Sequence, residues 1–180
     1  MTQRHKVFVS YHHANDEARK TIFELRFGNH FGILVRGSVS LGDIDPQLRT
    51  ETIRQRIRDE YLRDSSVTVV LIGTQTWQRK HVDWEISSSI RKTATNPRSG
   101  LLGIFLPTHP AYGKPKYDPH TIPPRLHDNV DCGFAVLSDW TENAEAMQTL
   151  IHDAYLRKSR VDPDTSRPLF RNNRSGDRWS

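Results

Sequence analysis

Glu85 is the residue in this chain best placed to do chemistry. It lies in Val82-Asp83-Trp84-Glu85-Ile86, a segment that reads as the first turn of a helix. A helix N-terminus favours the anionic form of a carboxylate placed there. Fixed at the ends of sheet strands, that carboxylate could bind a ribose diol. It could also face the positive charge that develops when a glycosidic bond breaks through an oxocarbenium-like state. The plainer alternative is a first-turn glutamate with no chemical task. Trp77 and Trp84 flank it, and either could stack on the aromatic ring of a nucleotide or pack half-buried. Ser10, Tyr11 and His12 end the first apolar run and could touch the same ligand. Asp43 follows the second such run, where a lid over the site would be placed, or where a turn residue would simply be solvated. Asp83 points to a different helix face from Glu85 and is expected to matter far less.

Other chemistries fit poorly. The loop after the first strand, Tyr11-His12-His13-Ala14-Asn15, has no glycine for a dinucleotide fingerprint, and no Walker phosphate loop occurs. A phosphoacceptor receiver would need acidic residues at Ser10-Tyr11-His12 and an aspartate after Ile72. A Ser-His-Asp hydrolase would need Gly-x-Ser-x-Gly, which is missing. His12 and His13 are adjacent and poorly spaced for one metal ion. His109, His120 and His127 share a polar stretch that reads as a solvated loop, so no metal site is expected. Cys132, the single cysteine, reads as buried packing at the start of the last strand.

Strands and helices must position Glu85. Val7 to Tyr11, Ile33 to Val35, Val67 to Ile72, Leu101 to Leu106 and Phe134 to Leu137 read as strands. Helices are expected from about Glu17 to Phe27, capped by Asn15 or Asp16, with Ala18, Ile22, Leu25 and Phe27 as candidates for the inward side. Others run from Asp45-Pro46 to about Arg63, from Val82 to Lys92 and from Thr141 to Arg157. Asp139 with Glu142 would cap the last. Pro107 to Val130 shows no period and reads as a long loop suited to specificity or partner choice. The order predicts an α/β fold: a doubly wound, mostly parallel five-stranded sheet flanked by helices, flavodoxin-like in kind. Its ligand crevice should lie at the carboxyl ends of the strands.

The 180 residues suit one domain with a full core, 1–158, followed by a basic polar tail, 159–180, expected to be flexible and dispensable. The segment from Arg157 to Ser180 has seven Lys or Arg and three Asp, nearly all of the chain's net charge of +5. The body carries no basic patch visible in sequence, which disfavours nucleic acid as a partner. No apolar run is long enough to span a membrane, and the start lacks a secretory pattern, so a cytoplasmic protein is expected.

Val7-Phe8-Val9-Ser10-Tyr11 followed by Asp16 resembles the first box of TIR domains. Thr74-x-Thr76-Trp77, then Trp84-Glu85-Ile86, resembles their segment into the third helix. Phe8 to His12, Ser66 to Thr76, Val82 to Ile86 and Gly100 to Phe105, taken in order, are most similar to the TIR-like proteins of bacterial Thoeris anti-phage systems. The resemblance implies an enzyme that cleaves NAD as substrate, needs no cofactor and uses Glu85 as catalytic residue. It implies release of nicotinamide and a cyclic ADP-ribose-type messenger that reaches a separate effector protein. It further implies activation by association into a homo-oligomer or by a phage-derived activator. The receptor-type Arg-Asp-x-x-Pro-Gly loop and the late Phe-Trp box are missing, so receptor-type adaptor contacts are not implied. A catalytically weak TIR-like scaffold acting by protein contacts stays open as the alternative.

Overall fold

The computed structural model describes residues 4–28, 33–36, 45 and 47–180, with only the backbone for 33–36. Five strands form one sheet: β1 (His5–Ser10), β2 (Ile33–Arg36), β3 (Val67–Ile72), β4 (Gly100–Phe105) and β5 (Ala135–Asp139). The order is β2-β1-β3-β4-β5 and every neighbouring pair is parallel. All residues of β3 and β4 are buried, because helices cover both faces of these central strands. The chain leaves β1 in one direction, to β2, and returns past it to β3. The strand ends of β1 and β3 therefore form the switch point at which such sheets bind ligands.

Helices α1 (His13–Phe27) and α5 (Ala144–Arg157) cover one face. There Phe23, Phe27, Met147 and Ile151 pack on Val7, Val9, Val69 and Leu102. The other face carries α2 (Thr50–Arg56), which continues as a π-helical turn over Ile57–Tyr61, then α3 (Lys80–Ser89) and α4 (Pro124–Asp131). Val82, Ile86 and Ile90 meet Val70, Ile72 and Leu101 in that layer, while Trp84 joins Phe8, Ile53, Ile57 and Leu62. Among the described residues no helix is long and apolar enough to cross a membrane.

Several expectations need correction. In α1 Phe27 is buried as expected, but its partner on the buried side is Phe23, an aromatic i,i+4 pair, while Ile22 is 37% and Leu25 76% exposed. His12, not Asn15 or Asp16, caps that helix, and Asn143 caps α5 in place of Asp139. The stretch 107–130 contains most of α4. Its inward residues include Arg125 and Asn129, so no apolar period announces it; Pro124 at its first turn was the available signal. Cys132 is exposed and ends α4.

The tail packs against the body of the domain. Phe170 is 5% exposed, and its carbonyl accepts the Trp84 indole N–H at 2.8 Å. Fully buried Arg125 donates to the Arg167 and Pro168 carbonyls at 2.8 and 2.9 Å. It also pairs with Asp83 at 2.9 Å, and Asp83 accepts the Phe170 N–H at 2.8 Å. Asp83 is thus the centre of a buried ion-pair network, not a bystander. Polar backbone groups hold the tail as much as apolar side chains do, which is why its composition reads as disorder.

Candidate active site

Side chains alternate along a strand, so Ser10 shares the face of Phe8 and points to α3. Glu85 is the sixth residue of α3, two residues deeper than its sequence suggests, because the helix starts at Lys80. The helix-terminus argument for its anion loses force there, since that effect falls off within the first turn. The Glu85 side chain is 0% exposed, and the Ser10 hydroxyl donates to it in a close hydrogen bond. One turn on, the Ser89 hydroxyl donates to the Glu85 carbonyl at 2.7 Å and meets Thr68 of β3 at 2.7 Å. A column of hydroxyls from β1 and β3 thus fixes this side of α3.

His81 stands four residues before Glu85, on the same helical face, and is 2% exposed. Its Nε2 lies 2.9 Å from the Tyr11 carbonyl, which makes it the N–H donor in that bond. Burial lowers the His81 pKa to about 4, with Arg79 and the other histidines adding to the effect, so the ring is neutral at pH 7. The His13 ring lies against it at 4.4 Å and against the Tyr11 ring at 4.7 Å. These rings roof the strand ends.

Asp16 in α1 reaches over the other side of the switch point. A Cβ on Gly73, just past β3, would come within 2.5 Å of its carboxylate, so only glycine allows this approach. Burial raises the Asp16 pKa to about 6, and its Oδ2 has no hydrogen-bond partner. The Gly73 N–H donates to the Thr76 hydroxyl at 2.8 Å, which fastens the loop. Trp77 Nε1, Arg79 Nε and His81 Nδ1 are likewise buried without partners. Orphaned buried polar atoms are rare in native structures, and these four belong to α1, to the loop before α3 and to the first turn of α3.

Of the residues singled out from sequence, Ser10 and Glu85 meet directly. Tyr11 contributes its carbonyl; its ring packs on the opposite face of the sheet and its hydroxyl donates to Glu17 at 2.5 Å. His12 is occupied in capping α1, its Nδ1 accepting the Asn15 N–H at 3.2 Å. Burial, helped by Arg79, lowers its pKa. Trp77 is buried in the loop before α3. Trp84 is not brought to Glu85: it packs toward α2 and the tail, with the Lys80 ammonium 5.1 Å from its ring centre. Asp43 lies outside the described residues. Among the described residues no three His, Cys, Asp or Glu side chains gather as a metal site would require. Asp16 and His81 escaped assignment, although the His81–Glu85 spacing of four was a usable signal.

A family model described as Thoeris protein ThsB, TIR-like domain, matches residues 8–111, a span that contains every element of this site. A search of curated proteins finds no match to the chain.

Proposed function

Because the chain belongs to the TIR-like domain family of Thoeris protein ThsB, we propose that it is an enzyme of anti-phage defence that cleaves NAD with Glu85 as its catalytic carboxylate. The observation that carries this reading is a glutamate buried at the switch point of a parallel sheet and held by Ser10 from the end of β1. A carboxylate in such a site acts strongly on developing charge, because little water screens it. Substrate access requires the crevice to part and Ser10 to release its bond. Glu85 then accepts hydrogen bonds from the hydroxyls of the nicotinamide ribose. As the C1′–N bond breaks, its electron pair leaves with neutral nicotinamide, and the carboxylate stabilises the positive charge left on the ribose. Capture of C1′ by a nitrogen of the same molecule's adenine, with loss of a proton, gives a cyclic ADP-ribose-type messenger. Capture by water gives ADP-ribose. The unpartnered Trp77, Arg79 and His81 nitrogens are donors or acceptors for the rest of a polar ligand. In this reading the messenger acts on a separate effector protein, and turnover rises on self-association or on meeting a phage-derived activator.

The complete burial of Glu85 also favours a second reading, a scaffold in which Ser10 and Glu85 only tie α3 to the sheet. Nicotinamide release by the purified protein, with and without lysate from infected cells, separates the two. Release that disappears in Glu85→Gln upholds the enzyme. A folded wild type that releases none under either condition leaves the scaffold.

A further inference from the structure

At the end of α3 away from Glu85, below the N-terminal ends of β3 and β4, lies a cavity of about 540 Å³. That volume is in the range of small-molecule sites. Five cations line it: Arg54, Arg58, Arg91, Lys92 and Arg98. Its two acids are Glu51 and Asp162, and both are engaged. Glu51 pairs with Arg54 at 2.7 Å and Asp162 with Arg98 at 3.2 Å. Among the described residues Arg58, Arg91 and Lys92 have no carboxylate within ion-pair distance; Asp59 acts on Arg58 and Glu51 on Arg91 only at longer range. A second hollow of about 370 Å³ shares Lys92 and Arg98 and adds Lys158.

Neutral groups take up part of this charge. Arg58 is 1% exposed and donates to the Ser99 hydroxyl at 2.8 Å, to the Ser65 carbonyl at 3.3 Å and to the Pro97 carbonyl. Arg91 donates to the Thr165 carbonyl at 2.7 Å. The Nε–H of each is buried and unpartnered. Burial lowers the Arg58 pKa to about 10, and Lys158 is lowered by burial and by Arg58 and Arg98. Uncompensated buried cations are strongly unfavourable, and planar guanidinium groups match phosphate oxygens in pairs.

We propose that this cavity binds a phosphate-bearing anion of nucleoside diphosphate size, at a site separate from the Glu85 crevice. The anion supplies the negative charge that the protein's own acids do not.

The test titrates the full-length protein at low salt with inorganic pyrophosphate, ADP and adenosine, by calorimetry and by thermal melting. Pyrophosphate and ADP are expected to bind saturably, to raise the melting temperature and to weaken as salt is added. Adenosine is expected not to bind. Arg91→Gln should weaken both anions by roughly tenfold or more. Lys92→Gln, at an exposed position that carries no described structural bond, should weaken them by roughly threefold. Arg26→Gln, at an ion pair with Glu142 elsewhere on the surface, should bind as wild type. Tighter binding of ADP than of pyrophosphate assigns the cavity to a nucleotide; equal affinities assign it to the diphosphate group alone. The proposal is overturned if neither anion binds saturably, if adenosine binds as well as ADP, or if binding is undiminished in Lys92→Gln and in folded Arg91→Gln.

Discussion

On one side of the middle of α3 an acid is buried, accepting from the Ser10 hydroxyl and standing one turn after the neutral ring of His81. At the C-terminal end of the same helix cations gather with too few acids to match them. The first arrangement shields one carboxylate from solvent, which suits a transition state that gains positive charge. The second concentrates like charges around an open cavity, which suits capture of a soluble anion. Two residues before Glu85, Asp83 forms with Arg125 a buried pair that is fully satisfied by the tail. The same short helix therefore carries charge in three settings: a buried acid held by the sheet, a buried ion pair and an open cluster of cations.

The sharpest way to break this comparison is Glu85→Gln, which keeps shape and removes charge. Nicotinamide release should fall roughly a hundredfold or more, on the order of 3 kcal/mol of lost transition-state stabilisation. The melting temperature should change little. Near-normal release from a folded variant would remove Glu85 from the chemistry.

Asp83→Ala should act the other way, on stability first. It strands Arg125, which is 0% exposed, and the expected loss is about 3 kcal/mol, a fall of roughly 10 °C in melting temperature. A melt within about 2 °C of wild type would show that the pair is not holding the fold. Ending the chain after Lys158 should lower the melting temperature by about 5 °C or more, because it removes Phe170 and the carbonyl acceptors of Arg125. It also deletes the Asp162 to Thr165 wall of the basic cavity, so anion binding should fall with it. An unchanged melt would restore the dispensable tail expected from composition.

The smallest effect is a pH dependence. Asp16 has its folded pKa raised from 3.8 to about 6, so the native state holds its proton more tightly than the unfolded chain. Its contribution to stability is greatest below the unfolded value and is lost as pH rises through about 6. Asp16→Asn should therefore gain stability relative to wild type across that window and hold the gain above it. His81 has the opposite sign: lowered from 6.5 to about 4, it destabilises the fold as pH falls through that interval. Denaturant melts at several pH values separate the two. A wild-type-to-Asn difference that does not change with pH would show Asp16 to be normally solvated.

The five strands and their parallel order were legible because a strand buried on both faces must be largely apolar along its length, as Val67 to Ile72 is apart from Thr68. Glu85 was legible as a carboxylate at a helix start beside the switch point. Its depth was not, because Lys80 and His81 carry no apolar signal that would have moved the helix start back. Helix α4 was hidden for a related reason, since it faces inward with Arg125 and Asn129 as well as Leu126. The docked tail was hidden because its partners are distant backbone carbonyls and a buried ion pair.

Hydrophobic periodicity, proline placement and the family's ordered motifs are local properties, and they alone determined the fold class and the position of the candidate acid. Charge balance is not local. The first 156 residues are close to neutral along the chain, yet folding brings Arg54 and Arg58 from α2 and its continuation beside Arg91, Lys92 and Arg98 from the far end of α3 and the turn beyond it. Only the tertiary structure decides such a site, because electrostatic interaction depends on separation in space and on burial, and neither is written in the order of the residues.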